Sequence, residues 1–310
     1  ERSGNFDQSL TLGGLIACVI LNGRALAPLS QVASLLVSYD HAEATLKSLD
    51  EVMKLPVERE PDKRYLHRSS FDGDVRLKNV SFSYPEQPTP ALENINISIK
   101  AGEKVGIIGR IGSGKSTLAK MLIRLYDPSS GSVLLDGFDA QQLDPADLRS
   151  NLGYVAQDAK LFFGTVRDNI TFGLNSISDQ EVIDAATKAG ILELVNSHPL
   201  GFEMPVGERG ETLSGGQRSA IALSRVFLRS PRVLLMDEPT AAMDQGTEEK
   251  MRQQIKDEFK DSTVILITHK MNMLDLVDRL IVMDRGAVVA DGPKAKVLEA
   301  LKTGSVRGKA

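Results

Sequence analysis

The longest apolar stretch lies near the start of the chain. Residues 10–37 read "LTLGGLIACVILNGRALAPLSQVASLLV", and the part from Leu10 to Leu21 carries no charge. As a helix that part reaches only about 18 Å, short of the roughly 30 Å hydrocarbon core of a bilayer. Extension to Val37 brings the length to roughly 40 Å, enough to cross and emerge. The extension has to carry Asn22, Arg24 and Pro28. A central arginine costs about 2.5–3.5 kcal/mol on insertion scales, less where it snorkels to an interface. Two readings stand: a membrane-spanning helix, or an amphipathic helix packed on a soluble domain. Helical spacing continues through "YDHAEATLKSLDEVM", with Leu46, Leu49 and Val52 at three-residue steps. The segment "KLPVEREPDKRYLHRSSFDGD" is then charged and broken by proline, as a linker is.

Beyond it the pattern changes to short apolar runs separated by helical periodicity. "EKVGIIG", "RVLLMDEPT" and "TVILITHK" each hold a run of apolar residues without alternation, the mark of a strand buried on both faces. "KSTLAKMLIRLY" predicts a helix with a leucine-isoleucine face over residues 115–126. "LSGGQRSAIALSRVFL" predicts another, its apolar positions recurring at Ile221, Leu223, Val226 and Phe227. Strands alternating with helices predict an α/β fold with a parallel sheet.

Composition adds bounds. At 310 residues and 42% hydrophobic, the chain can bury a large core with an appendage. A net charge of -4 gives no electrostatic footprint for nucleic acid. A single cysteine, Cys18, excludes an intrachain disulfide framework and a cysteine zinc site, and its apolar surroundings mark it as packing. The chain opens on "ERSGNFDQ" and shows no signal peptide, which predicts that it begins inside a longer protein.

Candidate chemistry begins at "GRIGSGKST", residues 109–117, where Gly109, Gly114, Lys115 and Ser116 meet the pattern G-x-x-x-x-G-K-[ST]. A strand precedes it and a helix follows, the context that the motif requires. Glycines let backbone N–H groups converge on phosphate oxygens, and the helix N-terminus adds about half a positive charge. Lys115 is placed to neutralise the β and γ phosphates, and the Ser116 hydroxyl to ligate Mg²⁺. A bound triphosphate also needs an acidic partner for its metal. Asp237, at the end of one strand run, suits that role through water, while Glu238 suits polarisation of an attacking water. Thr268 and His269 end the other strand run, where ligands of parallel sheets bind, and His269 is a candidate γ-phosphate contact. No "NKxD" stretch occurs, which disfavours a GTPase. Ser214, Gly215 and Gly216 open a second phosphate-binding helix start. One triphosphate already has its loop, so this second terminus points to a partner's nucleotide.

These residues resemble the ATP-binding cassette (ABC) ATPases. "GRIGSGKST" resembles Walker A, "VLLMDE" Walker B, and "LSGGQ" the family signature, a far more specific match than Walker A alone. The resemblance covers roughly residues 73–303. It implies a P-loop NTPase fold of the ABC type: a RecA-like core, an antiparallel β subdomain and an α-helical signature subdomain, preceded by an N-terminal helix. It assigns the loop residues Gly109, Arg110, Ile111, Gly112, Ser113, Gly114, Lys115, Ser116 and Thr117 to ATP. Tyr84 in "FSYP" becomes the aromatic that stacks on adenine. Gln157 in "GYVAQD" becomes the Q-loop glutamine, counted with Glu238 and His269 among catalytic groups and with Ser116 and Asp237 among Mg²⁺ ligands. Two copies would sandwich two ATP molecules, each between one copy's Walker A and the other's Ser214-containing signature. Gly215, Gly216, Gln217 and Asp244, which ends the D-loop "AAMD", are counted with Ser214 among the ATP-binding residues. The family more often has Ser-Ala-Leu where this D-loop has Ala-Ala-Met.

Flanking residues narrow the branch. "GERGETLSGGQ" is similar to exporters, and the N-terminal apolar stretch to the last membrane helix of type I secretion exporters. "PTAAMD", "THK" and "VADGPKAKVLEAL" are similar to the branch that secretes large RTX adhesins. The resemblance thus implies residues 1–40 as the end of a transmembrane domain, 41–72 as a helical extension and linker, and 73–310 as the nucleotide-binding domain. Its helical subdomain would span about 158–228. The implied setting is the inner membrane with the ATPase domain on the cytoplasmic side. Implied partners are a periplasmic adaptor, an outer-membrane channel, a secreted protein and the upstream membrane helices. A multidrug or lipid exporter shares this chemistry. A soluble ABC ATPase of DNA repair or translation has no reason to carry the apolar stretch.

Overall fold

In the computed structural model, which describes residues 12–60, 62–85, 87 and 89–304, the chain divides into two units, residues 1–61 and 62–310. The expected membrane segment therefore has residues 1–11 outside the described residues, and the expected ATPase domain has 305–310 outside them.

The first unit holds one helix, α1 (Leu12–Met53), long and apolar enough to cross a membrane. At 42 residues it extends about 63 Å. It runs through Pro28 and past residue 40 without a break, so the apolar stretch and the helical extension are one element. The reason is local: Ser38, Tyr39 and Asp40 join the two parts with no glycine or proline between them. The polar end carries pairs at helical spacing, Lys47 on Glu43 at 2.7 Å and Lys54 on Asp50 at 2.5 Å.

The second unit opens with β1 (Val75–Phe82), β2 (Leu92–Ile99), β3 (Lys104–Gly109) and α2 (Lys115–Leu122). Next come β4 (Ser130–Leu135), β5 (Phe138–Asp139), α3 (Pro145–Asn151) and β6 (Leu152–Val155). A run of helices follows: α4 (Val166–Ile170), α5 (Asp179–Lys188), α6 (Leu192–Ser197) and α7 (Gly215–Arg229). The chain then returns through β7 (Val233–Asp237), α8 (Gln245–Glu258), β8 (Thr263–Ile267), β9 (Arg279–Asp284), β10 (Ala287–Pro293) and α9 (Lys294–Lys302).

These strands build two sheets. One is antiparallel, in the order β2-β1-β4-β5; the other has the order β10-β9-β3-β8-β7-β6 and is parallel except for its β10 edge. The unbroken apolar runs are explained by burial on both faces. Leu235 of β7 and Ile265 and Ile267 of β8 join the core that holds Leu118, Met121 and Ile95. Their neighbours Leu234, Met236, Val264 and Leu266 join a second core with Ile170, Ile221, Phe227 and Phe259, which continues among α4–α7. The expected RecA-like layer, antiparallel sheet and helical region are all present.

A second element, α2, also differs from the sequence reading. α2 ends at Leu122, not at Tyr126. Leu125 N donates to Lys120 O at 2.9 Å and Arg124 N to Met121 O at 2.9 Å, a Schellman closure with Arg124 left-handed at φ 52°. Glycine usually marks that position, so an arginine there hides the stop. Its buried guanidinium donates to Leu143 O at 3.1 Å, which anchors the turn.

Candidate active site

The carboxyl ends of β3, β8 and β7, adjacent in the parallel sheet, bring most of the expected groups together. After β3 the chain enters the glycine loop. Gly109 has φ 155°, and a Cβ there would stand 2.2 Å from Met283 O, so backbone packing leaves room for glycine alone. Gly112 is left-handed at φ 79° but has open space on its Cβ side, the space a phosphate needs. Ser113 and Thr117 are buried, whereas Arg110 and Ile111 stand exposed at the tip. Gly114 caps α2 at its N-terminus, so the helix start faces the loop.

Lys115 folds back over this loop. Its Nζ donates to Gly109 O at 2.9 Å and Arg110 O at 2.8 Å, with Ser113 Oγ at 3.4 Å. Burial pushes its ammonium below the usual lysine value, and Asp237 and Glu238 oppose that shift. Asp237 is buried at the end of β7; burial raises its carboxyl, while a hydrogen bond from the Ser116 hydroxyl and the charges of Lys115 and Lys120 pull it down. Burial and the Asp237 charge push the neighbouring Tyr154 phenol up to about 12. A hydroxyl against a carboxylate beside an anion cradle is an oxygen donor set that fits a hard cation such as Mg²⁺, which takes one or two carboxylates plus phosphate oxygens.

Glu238 follows with a backbone of unusual shape, φ 48° in a non-glycine residue. Its carboxylate is held on both oxygens. Nδ1 of His269 lies 2.6 Å from Oε1, and Thr268 Oγ1 donates to Oε2 at 3.3 Å. The His269 ring is itself largely exposed, so the pair forms a rim on open space. Gln157 lies exposed two residues beyond the end of β6, the strand beside β7. On the other side Tyr84 reaches the loop, its hydroxyl 3.1 Å from Thr117 Oγ1 and its ring edge-on to Phe82 and Tyr126. Between them opens a pocket of about 350 Å³, lined by Tyr84, Gln87, Thr89, Pro90, Ala91 and residues 112–117. Residues 89–91 carry no motif, and sequence reasoning passed over them.

The second helix start is not part of this pocket. Ser214 and Gln217 form a capping box: Gln217 N donates to Ser214 Oγ at 3.3 Å and Ser214 N to Gln217 Oε1 at 2.8 Å. Those two amides being engaged, the helix-end donors left for an anion are the N–H groups of Gly215 and Gly216. The same glycines also have a packing task. A Cβ on Gly215 would lie 2.8 Å from Ala242 Cβ, and one on Gly216 3.1 Å from Ala242 O. Asp244 caps α8, accepting from Thr247 N at 3.0 Å and Thr247 Oγ1 at 2.7 Å, and these bonds hold its carboxyl below the usual range. The five residues Ser214 to Gln217 and Asp244 thus form a second cluster, joined through Ala242.

A strand, a glycine loop capping a helix, and a buried carboxylate on a nearby strand define a P-loop nucleoside triphosphate-binding fold. Residues 92–241 match the family model described as ABC transporter, and that part of the chain belongs to the ABC transporter family as an ATP-binding domain. The chain is 38% identical over 291 residues to the leukotoxin translocation ATP-binding protein LktB of Mannheimia glucosida, covering 94% of this chain and 41% of that protein. It is 38% identical over 290 residues to the exotoxin translocation ATP-binding protein PaxB of Pasteurella aerogenes, at 94% and 40% coverage. With the alpha-hemolysin translocation ATP-binding protein HlyB of Escherichia coli O157:H7 it shares 36% over 289 residues, at 93% and 41%. The chain thus spans about two fifths of the length of these curated relatives. A bacterial Atm1-family ABC exporter solved with ATP bound superimposes at a TM-score of 0.81 with 29% identity, covering 97% of this chain and 54% of that one.

Proposed function

We propose that this chain hydrolyses ATP between two copies of itself and that the cycle powers an inner-membrane exporter secreting a large RTX adhesin-like protein. The carrying observation is the Glu238 carboxylate, held by His269 and Thr268, with its charge acting on the lysine of the glycine loop. In this reading Tyr84 stacks on adenine, Lys115 meets the β and γ phosphates, and residues 109–117 wrap them. Ser116, Asp237 and Gln157 would hold Mg²⁺, which supplies charge neutralisation on the phosphates. Glu238 accepts a proton from the attacking water while His269 fixes the carboxylate. The partner's Ser214, Gly215, Gly216 and Gln217 close the site from the far side with Asp244 beside them.

Pairing is tested by complementation. With ATP held well below the weakened affinity of the loop variant, a Lys115→Ala chain and a Ser214→Arg chain should each turn over little alone. Mixed, they form pairs with one complete site, from the intact loop of one and the intact signature of the other, and turnover should return. Mixtures as inactive as their components would rule out the shared site.

The cargo reading is supported by α1 and by the toxin-translocation relatives. In that setting α1 crosses the inner membrane, the ATPase domain lies on the cytoplasmic side, and a periplasmic adaptor and outer-membrane channel complete the path. The parent exporter should copurify with the adaptor after mild crosslinking. Recovery of active exporter that never retains one would favour the multidrug or lipid reading instead.

A further inference from the structure

Lys270 immediately follows His269, and its side chain does not turn toward the glycine loop. Its Nζ donates to the Thr240 carbonyl at 2.7 Å and also to Glu248 Oε2. Glu248 lies on the first turn of α8 and is buried; its Oε2 also accepts from Thr240 Oγ1 at 3.0 Å. The Lys270 backbone N–H donates to Thr268 Oγ1 at 3.1 Å, and that hydroxyl donates onward to Glu238 Oε2 at 3.3 Å. Thr240 and Thr268 are likewise buried. A continuous chain therefore runs from the Glu238 carboxylate through Thr268 and Lys270 to Glu248 and Thr240.

This arrangement joins two loops that leave adjacent parallel strands. β7 and β8 pair through Asp237 and Ile267, so Glu238 and Thr268 are the first residues past the sheet on each side. Glu238 enters its loop in the left-handed region, a conformation that persists in a non-glycine residue only when neighbours hold it. Lys270 grips that loop at Thr240, two residues on, while its own loop carries His269. A buried ion pair with extra hydrogen bonds specifies geometry more than it adds stability.

We propose that Lys270, paired with Glu248, is a positioning residue for ATP hydrolysis: it locks the loop carrying Glu238 to the loop carrying His269. The proposal rests on the reading of Glu238 as the group that polarises water. Two of the three Lys270 Nζ donors go to Thr240 and Glu248, so the action proposed for it on the phosphates runs through Glu238 and His269.

The test uses the 310-residue chain in detergent and reads kcat and KM for ATP separately. Lys270→Met combined with Glu248→Leu removes both charges and leaves no buried carboxylate unpaired. Loss of positioning lowers kcat by about ten-fold or more while KM stays within about two-fold, since misplacement by a fraction of an ångström is felt in the chemical step and not in binding. Lys270→Arg, which keeps charge and donors, should recover most of the rate. Where the double variant fails to fold, Lys270→Gln, which can still donate to Thr240 but cannot pair with Glu248 as an ion, is read by the same criteria. Parent-level kcat in the uncharged variant, with Glu238→Gln inactive alongside, overturns the positioning role alone. A rise in KM matching the fall in kcat, or no recovery in Lys270→Arg, also overturns it, because that pattern reports general loosening. If Glu238→Gln itself turns over at the parent rate, the underlying reading fails and the proposal with it.

Discussion

Glu238→Gln is expected to bind ATP as the parent chain does and to lower turnover by about 10²–10⁴-fold, the range that a positioned general base contributes. The physical case rests on how little else the change disturbs. Glutamine has the same length and the same backbone, so the left-handed conformation at φ 48° carries no new strain. An amide oxygen still accepts from Thr268, as Oε2 now does at 3.3 Å. What disappears is the negative charge and with it the capacity to take a proton. In the proposed reading nucleotide affinity resides in the glycine loop and Tyr84 pocket, and the residues that line that pocket do not include 238. Equilibrium nucleotide titration beside a phosphate-release assay reads both halves. Parent-level phosphate release would remove Glu238 from the mechanism, whatever the titration shows.

Much of this site was legible because its parts are local. Lys115 and Ser116 must sit at a helix start after a glycine turn, and the sequence around 103–126 states that arrangement outright. Unbroken apolar runs at 233–236 and 264–267 betray strands covered on both faces, which places Asp237 at the edge of a parallel sheet and Glu238 and His269 beyond it. Other features were hidden because they depend on partners distant in the chain. The end of α2 at Leu122 relies on an arginine in a conformation that glycine usually takes, with its guanidinium bonded to Leu143 O at 3.1 Å. Gly215 and Gly216 read as room for a phosphate, yet both also make room for Ala242, 26 positions beyond Gly216 (242 − 216). Glu248 reads as one acid among several on a charged helix, and only the fold buries it against Lys270. α1 posed the opposite difficulty: two segments with different composition looked like two elements, and no breaker separates them.

Lys115→Ala should act on binding where Glu238→Gln acts on chemistry. The ammonium now satisfies Gly109 O at 2.9 Å and Arg110 O at 2.8 Å, both in the loop that would surround the phosphates. Burial pulls its ammonium below the usual lysine value, and an incoming polyanion acts in the opposite direction, favouring the charged form. Losing a charge-assisted contact to phosphate costs about 1.5–3 kcal/mol, or roughly 10–150-fold in affinity. The loop itself should keep its shape. Its glycines are fixed by close backbone approaches, Gly109 on Met283 and Gly114 on Ala91, which the lysine does not make. Titration in the Glu238→Gln background isolates affinity from turnover, and a thermal melt without nucleotide checks that the loop is intact. An unchanged melt with weakened binding locates the effect at the phosphates. Unchanged affinity would mean that the helix start and backbone amides hold the anion by themselves, with Lys115 serving only to brace the loop.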